Sequence, residues 1–230
     1  MKKQVACQLS WRPTPTTWLS FLLVVLLFPL GLTLPPWWGW ENGPIENTQV
    51  VILAIGAFVS FFAAKKNQEN RQIRSFWLWQ IPVWLLLIGR ELSWGRVFYP
   101  VAIRTNGPSF LSIHQLWYGQ FVYPIIAAVT LISLLGLWHN FNQFLLGSKL
   151  NLPAFDLILL TLAVIASHFI FEKQVIIALK PYAEVLEELA ELIAYWCMVS
   201  IVATVGFAKR QNYNLVQAEK SPPSTHLKPL

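Results

Sequence analysis

Residues 116–138 read LWYGQFVYPIIAAVTLISLLGLW, twenty-three consecutive positions without a charged side chain. A helix needs about 20 mostly apolar residues to cross the hydrocarbon core of a bilayer. No soluble helix keeps one face in water with such a sequence, so this stretch reads as a membrane span. Working outward, five further segments read the same way with different strength: 18–34, 48–64, 75–89, 153–171 and 189–208. The third is short and contains Pro82, and the helix of the sixth is expected to begin earlier, near Pro181. Proline suits a first helical turn because its missing N–H would be unpaired there anyway. The fold class expected is all-α: a polytopic six-helix transmembrane bundle.

Composition agrees. Of 230 residues 55% are hydrophobic and only 12% charged, with a mean hydropathy of +0.49. A soluble domain carries about 25% charged residues. A disordered chain needs low hydrophobicity and high charge, so that class is excluded too. The net charge of +6 does not point to nucleic acid, because that reading requires a basic water-facing surface. Two cysteines, Cys7 and Cys197, support neither a disulfide framework nor a thiolate metal site. The apolar run after Arg12 lacks a cleavage site and reads as a retained anchor helix.

The 26 residues from Arg90 to Gln115 are too apolar for a solvated loop and too broken by Pro100, Gly107 and Pro108 for a seventh span. They read as an interfacial or re-entrant segment between helices 3 and 4. Residues 1–17 read as a short basic terminus, and 209–230 as a disordered polar tail.

Lysine and arginine set the orientation. Twelve of the seventeen fall on one side, with the N-terminus, the loops after spans two and four, and the tail. Arg90, Arg96, Arg104, Lys173 and Lys180 fall on the other. Both termini are therefore expected in the cytoplasm, and the lack of eukaryotic targeting signals points to a bacterial inner membrane. Trp37, Trp38 and Trp40 are expected as outer interface anchors, and Trp77, Trp79 and Trp138 as inner ones.

This topology gathers the ionisable groups at one membrane boundary. Span three ends in Arg90-Glu91, and Arg96 follows; span five ends in His168 and Glu172; span six opens with Glu184, Glu187, Glu188 and Glu191. At helical spacing those four glutamates and Tyr195 share a face. Charge near a membrane core is costly, which makes each such group a functional candidate. Glu184 and Glu188 are expected to be solvated at the helix start, where the dipole favours acids. Glu191 lies one turn deeper and calls for a partner. His168 and Glu172, four apart, read as a hydrogen-bonded pair rather than as metal ligands. Arg96 lies in a glycine-containing stretch where free backbone N–H groups would help to hold an anion.

Glu91, His168, Glu187 and Glu191 are thus the candidate acid–base residues, and Arg90 and Arg96 the candidate anion-binding ones. No metal site is expected, and no cofactor is indicated. The late His-x-x-x-His of membrane zinc hydrolases is missing. Three functions fit: a site that binds or processes an anionic, lipid-linked substrate at the outer leaflet; a small proton-coupled transporter; or an accessory subunit whose polar cluster only fixes packing. Membrane lipids are the expected partners. Whether the chain is an enzyme is left open by these residues.

Overall fold

The computed structural model describes residues 7–104, 107–146 and 150–208; the expected disordered tail lies outside them. Six long helices run in alternating directions: α1 (Pro15–Thr33), α2 (Pro44–Lys66), α3 (Arg71–Glu91), α4 (Gly119–Leu146), α5 (Ala154–Ile165) and α6 (Ala183–Phe207). The chain is an all-α membrane protein. Five of these helices, α3 excepted, are long and apolar enough to cross a bilayer, α5 with the π-helical turn Ala166–Phe171 and α6 with the 3-10 turn Ile177–Tyr182. At 21 residues α3 has the length, but Arg71, Arg74, Arg90 and Glu91 lower its hydropathy. Among the described residues there are therefore five helices apolar enough to span, where six were expected.

Local chemistry explains the helix starts. Thr14 caps α1, its hydroxyl accepting from the Thr17 N–H, and Pro15 fills the first turn. This starts α1 three residues before the apolar run. Asn70 caps α3 by accepting from the N–H groups of Gln72 and Ile73. Residues 7–10, expected as plain terminus, form a strand (β1, Cys7–Ser10) that pairs in parallel with β4 (Leu150–Pro153). The segment after α3 is neither a helix nor a loop. A 3-10 turn over Ser93–Phe98 leads into an antiparallel hairpin of β2 (Pro100–Arg104) and β3 (Gly107–Phe110). The segment expected to be interfacial or re-entrant thus takes the form of a 3-10 turn and a hairpin.

Helix α6 is the axis of the bundle, packed by α1, α2 and α5, while α3 lies between α2 and α4. The main core joins Ile52, Leu53 and Trp84 to Leu189, Leu192 and Tyr195. A second cluster holds Phe76, Trp77 and Phe144, with the Phe76 and Phe144 rings stacked 4.0 Å apart. Trp77, expected at the interface, is buried in that cluster. The outward faces remain apolar: Val25 is 70% exposed, and Leu131, Leu134 and Leu135 of α4 form an uncovered stripe. In water such a face would aggregate; against lipid tails it is already in its preferred solvent.

Candidate functional site

Two polar clusters lie at opposite ends of the bundle. The larger is built by the C-terminal end of α3 and the N-terminal halves of α2 and α6, which the alternating helix directions bring to one end. Arg90 donates through Nη2 to both oxygens of Glu191 at 2.8 Å. The same guanidinium donates through Nη1 to the Tyr195 hydroxyl at 3.2 Å. Tyr195 in turn donates to Glu91 at 2.6 Å. Glu91 is buried, whereas the Arg90 side chain is 56% exposed. The cation thus reaches outward while the acid it helps to hold is sealed inside.

Two sequence candidates, Glu91 and Glu191, are therefore joined through Arg90 and Tyr195. Ser167 adds a long contact to Glu191, at 3.4 Å. Glu187 is half-buried one turn before Glu191, and Glu184 is exposed. His168 is not part of the cluster. It sits on the π-helical turn, mostly exposed, with its Nδ1 on the carboxylate of Glu172. Desolvation works to raise the Glu172 carboxyl, but hydrogen bonding and charge from Lys173 and His168 outweigh it and hold the group below its ordinary range.

Arg96 forms a separate pair with Glu41, in the link before α2. The Ser93 hydroxyl donates to the same Glu41 oxygen at 2.6 Å. The turn between them is unusual. Ser93, Trp94 and Gly95 all have positive φ, at 44°, 56° and 87°. Such a conformation costs a non-glycine residue on the order of 1–3 kcal/mol and persists only where surroundings enforce it. Here the Tyr118 hydroxyl donates to the Trp94 carbonyl at 3.2 Å, and the Trp94 ring covers Gly89. Gly95 N–H, expected to be free for an anion, donates to Leu92 O at 2.8 Å. Beside Glu41 an open cleft of about 460 Å³ is lined by Trp37, Trp40, Asn42, Asn47 and Pro108.

Glu41, Glu46 and Gln49 escape the sequence reading, and Glu188 is expected there only as a solvated acid. Glu46 on α2 and Glu188 on α6 each bring a carboxylate oxygen within 4.8 Å of one on Glu91, and of each other. Glu188 is thus drawn inward rather than solvated. Gln49, fully buried, holds it by donating through Nε2 to both its carboxylate (2.9 Å) and its backbone carbonyl (2.8 Å). The available signal was the three-residue spacing of Glu46 and Gln49, two polar groups on one helix face where span two begins.

At the opposite end Asp156 is fully buried and accepts from Thr17 (2.6 Å) and Ser20 (2.8 Å). The Thr16 hydroxyl oxygen accepts from the Ser200 hydroxyl at 2.7 Å, and the Thr16 carbonyl accepts from the Trp196 indole N–H at 3.1 Å. These bonds tie α1 to α5 and α6 and leave the carboxylate satisfied. No protein-family model, curated protein or solved structure matches this chain.

Proposed function

We propose that the protein is a six-span membrane protein with both termini in the cytoplasm, whose polar cluster at the outer leaflet binds or processes an amphiphilic substrate with an anionic head group. The observation that carries this reading is the convergence of Glu91, Glu191, Arg90 and Tyr195 from two helices into one connected network. A buried acid bonded to a tyrosine and bridged to a half-exposed arginine joins a proton store to an anion-facing cation. The exposed apolar residues Phe98, Val101 and Ile103 on the adjoining turn and hairpin suit an interfacial position, where a lipid-linked group would enter.

The test is native mass spectrometry of gently purified protein beside Arg90→Gln and Glu91→Gln. A co-purifying anionic lipid that is lost from Arg90→Gln is the expected result. Equal lipid retention by the wild type and both folded variants overturns the reading.

One observation favours a second reading, a network that only fixes helix packing. Both arginines already meet a carboxylate of the same chain, Arg90 with Glu191 and Arg96 with Glu41. On this reading the exchanged pair Arg90→Glu with Glu191→Arg regains wild-type stability. On the first reading the exchange leaves lipid binding lost.

A further inference from the structure

The three-carboxylate group of Glu46, Glu91 and Glu188 goes beyond the substrate reading and shares only Glu91 with it. These acids come from three different helices, and their nearest oxygens lie within 4.8 Å of one another. The one cation the cluster meets among the described residues is Arg90, and it is bound on both donors of Nη2 by Glu191. Its Nε lies 3.6 Å from Glu91. Like charges this close in a poorly hydrated site repel strongly unless something neutralises them.

A second observation points to what that is. Gln49 is completely buried, yet its Oε1 has no hydrogen-bond partner among the described residues. Its Nε2 is anchored on Glu188, so by bond lengths Oε1 lies within about 5.5 Å of that carboxylate. Glu46 and Gln49 are three apart on α2 and therefore share a face. A buried amide oxygen without a donor has lost its water without compensation. A buried, unpartnered amide oxygen on the residue that holds Glu188, one helical turn from Glu46, is available to complete a ligand set with the three carboxylates.

We infer that Glu46, Glu91, Glu188 and the Gln49 side-chain oxygen form a binding site for a hard divalent cation. The donors are all oxygens, with no histidine or cysteine among them, which selects calcium, magnesium or manganese over zinc. The carboxylate oxygens lie within 4.8 Å of one another, and a loose all-protein oxygen set suits calcium, whose coordination is flexible, better than magnesium, which demands near-ideal octahedral geometry. A divalent cation here offsets two of the three carboxylate charges, satisfies Gln49 and clamps α2, α3 and α6 together.

The experiment is calorimetric titration of chelator-stripped full-length protein in detergent with calcium chloride, and separately with magnesium chloride. One saturable site per chain is expected, with calcium the tighter ion. Glu188→Gln and Gln49→Leu should weaken binding by more than about 10-fold, the size of effect that loss of even an outer-shell partner produces. Gln49→Glu, which places a fourth carboxylate at the same position, should tighten it, a gain that a purely structural glutamine would not give. Glu184→Gln, exposed and outside the ligand set, should bind as the wild type does. Absence of saturable binding of either ion to folded wild-type protein overturns the inference. So does binding that Glu188→Gln and Gln49→Glu both leave unchanged.

Discussion

The Tyr195 hydroxyl stands between a buried acid and a half-exposed base, accepting from Arg90 and donating to Glu91. Replacing it with phenylalanine leaves the Glu91 carboxylate without that donor. The expected loss is about 1–3 kcal/mol, measured by unfolding in mixed micelles. Glu91→Gln in the same background should recover part of it, because the charge that needed the donor is then gone, so the two changes are not additive. No recovery would mean that Tyr195 acts through its ring alone. At the other end, Thr17→Val should also cost about 1–3 kcal/mol, since Asp156 keeps only the Ser20 donor. Asp156→Asn should be milder, an amide being easier to bury than a carboxylate. A Thr17→Val variant as stable as the wild type would remove the role assigned to that bond.

Among the elements, small residues decide how closely helices approach. A Cβ on Gly56 would lie 2.7 Å from the Trp84 ring, whose indole N–H donates to Ser60 at 2.8 Å. Gly56→Ala should therefore separate α2 from α3 and cost about 1–3 kcal/mol by overpacking. Reduced thermal stability in detergent checks this, and an unchanged melting temperature refutes it. Such contacts show the limit of what one sequence makes legible. The spans at 48–64 and 116–138 were readable because hydropathy is a local property of the chain. The gathering of acids at one end was readable too, because alternating spans and lysine bias set direction. Which acids face one another was not, because that depends on the rotation of each helix about its axis. Glu188 reads as a solvated first-turn acid until Gln49, 139 residues away in sequence, turns it inward. The hairpin of β2 and β3 was hidden for a related reason: its residues signalled apolar and broken, and hydropathy alone does not distinguish a paired strand from a dip into the bilayer.

For the molecule as a whole, the bias of lysine and arginine makes orientation testable. In a cysteine-free background, Glu69→Cys should be shielded from a membrane-impermeant maleimide in intact cells, and Ile177→Cys, 86% exposed, should react. The reverse pattern would invert the topology and move the acid cluster to the cytoplasmic face. The pairing of β1 with β4 carries a further consequence, for synthesis. Strand β1 leaves the ribosome first, but its partner begins at residue 150, and Thr17 and Ser20 meet Asp156 only with α5. At about 5–20 residues per second the first strand waits roughly 7–30 s for its mate. During that interval Thr17 and Ser20 are without Asp156, and α1 is without α5 and α6, the helices it packs against in the folded chain. Assembly is then completed from the last helices back onto the first.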